Sequence, residues 1–122
     1  MKATILTLAA LTAACIPLAA AAQTYPSKPV KFIVPYAPGG LPDTVARWVS
    51  QRLTERLGQS VVVDNKPGGN GMVAYQALLA STPSDGHAFI VSDGSMLSIT
   101  PQINKSATYR IGQELLPVSM IA

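Results

Sequence analysis

The chain is nearly without cysteine, histidine and tryptophan, holding one of each in 122 residues. Its one cysteine, Cys15, sits near the start, so the chain beyond it offers neither disulfides nor thiol chemistry. The lone histidine, His87, has no second His or Cys near it in sequence, which removes the usual zinc-ligand sets, and no metal or cofactor is expected. Charge is sparse as well, at 12% of residues. Beyond Lys2, eight Lys/Arg face six Asp/Glu, scattered rather than gathered into a stripe, which argues against nucleic-acid binding. Nowhere does a G-x-S-x-G nucleophile elbow occur, so an exported α/β hydrolase would need its catalytic residues outside this stretch.

What the chain does have begins with "MKATILTLAALTAACIPLAAAA". One basic residue, an uncharged run and small residues before Gln23 give a secretory signal peptide over residues 1–22, too short and weakly flanked for a membrane anchor. "LTAAC" is a poor lipoprotein box because Thr12 stands where a large aliphatic residue belongs, so cleavage near Ala22 is expected without acylation of Cys15. Residues 23–122 then form one unit. After a polar, Pro-containing lead, "VKFIVP" at 30–35 reads as a buried strand. From Asp43, residues Val45, Val49, Leu53 and Leu57 recur every fourth position, with Ala46 and Trp48 on the same broad face, which predicts an amphipathic helix. Pro42 suits its start and Gly58 its stop.

"SVVVDN" at 60–65 is a second strand and "KPGGNG" a glycine-rich turn. "MVAYQALLA" follows as a shorter helix, and "HAFIVS" at 87–92 is a third strand. Such β-α-β-α-β alternation predicts a parallel sheet with helices on its faces. Past it the signals weaken to a helical turn near Met96, a break at Pro101, and an apolar "LPVSMIA" read as a strand without a partner. That ending predicts the N-terminal part of a longer protein. Residues 23–122 would then be part of a first lobe, expected neither to bind tightly nor to fold cooperatively alone.

In open parallel sheets ligands sit beyond the carboxyl ends of the strands, where strand order reverses. An order of 2-1-3 would put that point between the first and third strands, flanked by "YAPGGLPD" at 36–43 and "SDGS" at 92–95. Gly39 and Gly40 would let a ligand oxygen approach bare N–H groups at the helix mouth, and Ser92 or Ser95 would add hydroxyls. Asp43 suits capping or the helix dipole, with a direct ligand role as the alternative. The plain alternative is that both segments are ordinary turns. A formal dinucleotide fingerprint, Gly69-x-Gly71-x-x-Ala74 with Asp93 beyond, is set too far from its strand, and exported chains seldom meet nicotinamide cofactors.

Three spaced motifs carry a resemblance: P-G-G-x-x-D-x-x-A-R at 38–47, N-[KR]-P-G at 65–68 and P-x-D-G at 83–86. With "PVSMIA" at the end, the chain resembles the Bug-type extracytoplasmic solute receptors, the substrate-binding proteins of tripartite tricarboxylate transporters. The resemblance implies a two-lobed, type 2 periplasmic-binding-protein (Venus-flytrap) fold, incomplete here, and a periplasmic, monomeric, non-enzymatic protein. Such a protein delivers a small carboxylate or related solute to membrane permease subunits. It further implies ligand contacts from Ala37, Pro38, Gly39, Gly40 and Asp43, and from Ser92, Asp93, Gly94 and Ser95. Two positions depart from the pattern: Asp93, where relatives often carry a small hydroxyl with glycine, and Glu114-Leu115 in place of an Asp-Phe pair. A carboxylate at Asp93, if aimed inward, would disfavour a dicarboxylate and favour an amino acid, amide or neutral aromatic.

Overall fold

Three short runs of branched and aromatic residues form the sheet. The computed structural model describes residues 24–81, 84–105 and 107–121; the signal peptide expected over 1–22, with Cys15, and Pro83 lie outside the described residues. Strand β1 (Val30–Val34) is central, with β2 (Val61–Asn65) and β3 (Ala88–Ile90) parallel to it on either side, giving the order β2-β1-β3. This is the 2-1-3 order that places a switch point between β1 and β3. Four of the five residues of β1 are buried, as a strand covered on both faces requires. The third strand is shorter than the "HAFIVS" reading, although the Val91 N–H still donates to the Ile33 carbonyl at 2.9 Å.

Helix α1 (Leu41–Leu57) packs on the β1 face that carries Phe32 and Val34, closing a core with Ala46, Val30 and Val61. Pro42 stands in its first turn, and Gly58 ends it in the left-handed conformation at φ 67°. The helix starts two residues before Asp43, and its buried stripe is narrower than periodicity implied. Asp43, Ala46 and Ser50 are buried, Val49 and Leu53 flank them, and Trp48 is 65% exposed. The expected place of Trp48 on the core face is therefore wrong. The buried stripe is made of the small residues Asp43, Ala46 and Ser50, and Trp48 lies outside it.

A 3-10 turn at Gly69–Gly71 leads into α2 (Met72–Leu79), which lies against β1 and β3. Its Tyr75 joins Met96 and Tyr109 in a second cluster, against which Ile90 and Leu115 pack. After β3 come two short helices, α3 (Gly94–Ser98) and α4 (Thr100–Ile103). Pro101 stands in the first turn of α4, so it opens a helical turn where a break was expected. The expected last strand is not formed. Residues 116–121 carry no regular structure, with Met120 87% exposed and only an isolated bridge, Ile111 to Leu115, before them. A strand needs a neighbour's backbone to bond, and no described strand lies alongside.

Candidate functional site

The carboxyl ends of β1, β2 and β3 gather the glycine loops at one edge of the sheet. After Val34 the chain passes through Pro35 and Tyr36 into the 37–40 turn, where Gly39 has φ 90°. Gly40 is the N-cap of α1 and supplies no side chain, so the cap is built from further along the helix. Asp43, only 2% exposed, reaches back so that its Oδ2 accepts from the Gly39 N–H at 2.8 Å. This resembles the return half of a capping box, displaced by one residue. The Gly39 N–H is therefore not bare, contrary to the expectation for the helix mouth.

Arg47 and Asn65 complete this knot. Arg47 donates from Nε to Asp43 Oδ2 at 3.1 Å, and its Nη2 lies 3.0 Å from Oδ1. The Asn65 amide nitrogen donates to Asp43 Oδ1 at 2.9 Å and to the Tyr36 carbonyl at 3.1 Å, while its oxygen accepts from Arg47 Nη2 at 2.9 Å. Hydrogen bonds from Arg47, Gly39 and Asn65 outweigh burial and pull the Asp43 carboxyl down to about 2. One carboxylate thus pins the end of β2, the start of α1 and the 36–40 loop together. Sequence reasoning singled out Asp43 but gave no role to Asn65, whose signal was its place at the end of a strand inside the N-K-P-G motif.

A second carboxylate joins the two loops flanking the switch point. Asp93 is the N-cap of α3, its Oδ1 accepting from the backbone N–H groups of Ser95 at 3.0 Å and Met96 at 3.4 Å. The same oxygen accepts from Ser95 Oγ at 2.5 Å and from Tyr36 Oη at 2.6 Å, across 57 residues of chain. The Ser95 and Tyr36 hydroxyls lower the Asp93 carboxyl, and burial, reinforced by Asp93, raises the Tyr36 phenol. Ser92 and Gly94 bond within this turn, Ser92 Oγ donating to the Asp93 carbonyl at 3.1 Å and the Gly94 carbonyl accepting from Ser98 Oγ at 2.6 Å.

Between these elements lies a cleft of about 300 Å³. Pro35 and Tyr36 form one wall, Ser95, Met96 and Thr100 another, and Gly68 through Gly71 the third. Of the expected ligand residues, Ser95 lines it directly and Asp93 stands behind it. Ala37, Pro38, Gly39, Gly40 and Asp43 are on the adjoining loop and are not among its lining residues. The "KPGGNG" turn, read from sequence only as a turn or a weak nucleotide fingerprint, supplies a wall. Gly68, Gly69, Asn70 and Gly71 all have positive φ, at 123°, 55°, 50° and 92°. Among the described residues no three His, Cys, Asp or Glu side chains gather as a metal site, and no helix is long and apolar enough to cross a membrane.

Comparison with known proteins bears on the family and the fold. The profile of the "Tripartite tricarboxylate transporter family receptor" matches residues 45–122. A UPF0065 protein of Bordetella bronchiseptica is 39% identical over 118 residues, covering 97% of this chain and 35% of the relative. Protein BugT of Bordetella pertussis is 38% identical over 101 residues, covering 82% and 31%. The chain thus spans about a third of the length of the curated relatives it matches. Among solved structures, one of a periplasmic transporter superposes with a TM-score of 0.59 at 40% identity, covering 66% of this chain and 27% of that one. A structure of R. palustris Rpa4515 with adipate superposes with a TM-score of 0.50 at 41% identity, covering 54% and 22%. The α/β unit is that of periplasmic binding proteins, and the chain belongs to the tripartite tricarboxylate transporter receptor family.

Proposed function

We propose that this chain contributes one wall of the ligand cleft in a periplasmic receptor that captures a small organic solute, a carboxylate or a close relative, for tripartite-transporter permease subunits. The observation that carries the reading is the cleft at the carboxyl ends of the strands, beside the β1/β3 switch point, with both flanking loops tied by the Tyr36–Asp93 bond. The adipate-bound relative supports a carboxylate. In this reading the protein is a monomer exported through a cleavable leader over residues 1–22, and it catalyses no reaction. Ser95, which lines the cleft, meets the ligand in this reading, and the adjoining 37–40 loop and the rest of 92–95 meet the parts of it that extend beyond the cleft. Asp43, with four donors already on its two oxygens, serves by holding the 37–40 loop in shape.

One wall is too weak by itself. Two or three charge-assisted hydrogen bonds give on the order of 5–8 kcal/mol, association costs about 4 kcal/mol or more, and micromolar binding needs about 8 kcal/mol net. A second lobe closing over the cleft would supply the difference by burial and further donors. A thermal-shift series on the full-length protein tests the reading with mono-, di- and tricarboxylates, aromatic acids and neutral solutes. At least one carboxylate should raise the melting temperature with a dose dependence that saturates. Stabilisation by a neutral solute alone would remove the carboxylate.

A further inference from the structure

The walls of the cleft hold three side-chain hydroxyls, and each hydroxyl has one proton to give. All three protons are committed inside the protein. Tyr36 Oη donates to Asp93 Oδ1 at 2.6 Å, Ser95 Oγ donates to the same oxygen at 2.5 Å, and Thr100 Oγ1 donates to the Ser95 carbonyl at 3.2 Å. An ionised carboxylate only accepts hydrogen bonds, so both of its hydroxyl partners donate to it. What Tyr36, Ser95 and Thr100 can turn towards the cleft is therefore oxygen lone pairs, backed by the negative charge of Asp93.

No lysine, arginine or histidine is among the cleft's lining residues, and Asn70 is the one lining side chain with N–H donors. Arg47 is not among the lining residues, and its guanidinium is bound to Asp43 and Asn65. An ionised carboxylate pressed against this wall would meet lone pairs and a like charge. A group carrying its own N–H or O–H would find waiting acceptors.

Resting on the receptor reading above, we infer that the end of the solute facing Tyr36, Ser95 and Thr100 is a hydrogen-bond donor, an ammonium, amide or hydroxyl group, and that the receptor discriminates against a second carboxylate there. Leaving one of these acceptors without a donor is penalised, so a gap of about tenfold or more in affinity is expected.

Titration calorimetry on the full-length protein tests this with two matched sets. Succinate is compared with succinamate, 4-aminobutanoate and 4-hydroxybutanoate, and adipate with adipamate, 6-aminohexanoate and 6-hydroxyhexanoate. In at least one set a donor-bearing compound should bind about tenfold tighter than its dicarboxylate, and the arm that wins identifies the donor. Asp93→Asn keeps an N-cap acceptor for α3 while removing the charge, so the protein should stay folded and the ammonium compound should lose its lead over the dicarboxylate. Dicarboxylates binding as tightly as their partners in both sets would overturn the inference and leave the receptor reading intact. Failure of every compound to bind would overturn the inference together with the carboxylate reading.

Discussion

Gly39 and Gly40 are neighbours with different reasons for being glycine. Gly39 holds φ 90°, with nothing within 4 Å of where a Cβ would sit, so backbone conformation alone demands it. Gly40 has an ordinary φ of −77° at the N-cap, and a Cβ there would make only normal contacts at 3.8 Å. Neither strain nor packing explains Gly40, which leaves room for a ligand as its reason under the receptor reading. Gly39→Ala should therefore cost roughly 1–2 kcal/mol of stability. Gly40→Ser, which supplies a good N-cap side chain, should change stability by no more than about 0.5 kcal/mol yet weaken solute binding. Denaturant titration and calorimetry on the two variants separate these effects; unchanged affinity in Gly40→Ser would return that residue to a plain turn. The glycine pair was legible in the sequence as a turn before a helix. Its division of labour was not, because it depends on the backbone angle each glycine adopts, φ 90° at Gly39 and −77° at Gly40.

At the scale of elements, the β2–α2 turn is fitted to α3 through one contact. A Cβ on Gly71 would lie 3.0 Å from Met96 Sδ and 3.1 Å from its Cγ and Cε, and Gly71 also has φ 92°. Met96 is nearly inaccessible and packs with Tyr75 and Tyr109, whose hydroxyl donates to the Met96 carbonyl, so it has little freedom to retreat. Gly71→Ala should destabilise the full-length protein by roughly 2–4 kcal/mol, from overpacking added to backbone strain. Met96→Ala in the same background should recover part of that loss, and independent, additive losses would show that the two do not meet. The three strands and the first two helices were readable in advance because the strands are short runs rich in branched and aromatic residues, α1 is bounded by Pro42 and Gly58, and Gly71 precedes α2. Trp48 was misplaced because period 3.6 defines a face but not how wide a stripe the sheet can cover. The strand expected at 116–121 failed for a different reason: apolar residues favour a strand only where a partner strand exists to receive it. The role of Gly68 through Gly71 in the cleft was hidden because turn grammar does not say which turns share a space.

Across the whole molecule, the two carboxylates pulled down furthest, Asp43 and Asp85, brace opposite ends of the sheet. Asp43 ties the loops at the carboxyl ends of the strands. Asp85, just before β3, bonds Lys28 Nζ at 2.6 Å and the His87 N–H at 3.1 Å, where Tyr25 Oη also reaches the Gly86 carbonyl and the Tyr25 ring meets the buried His87 ring edge-on at 5.0 Å. The Lys28 ammonium is the main cause that pulls the Asp85 carboxyl down to about 2, as Arg47 is for Asp43. Both groups ordinarily titrate at 3.8, so between 3.8 and about 2 the unfolded chain binds protons that the folded chain does not. Stability in that window must rise with pH, being complete above the ordinary value and lost as pH falls through the folded one. Melting temperature of the full-length protein at fixed ionic strength should accordingly hold steady down to about pH 5 and then fall towards pH 2. An Asp43→Asn, Asp85→Asn double variant should melt lower at neutral pH, having lost both charge pairs, and should decline less steeply in acid. Raising salt should erode the Asp85 share more than the Asp43 share, because Lys28 and Asp85 are more open to solvent than the Asp43 carboxylate. Parallel acid declines in the wild-type and double-variant proteins would show that other carboxylates hold the sheet together.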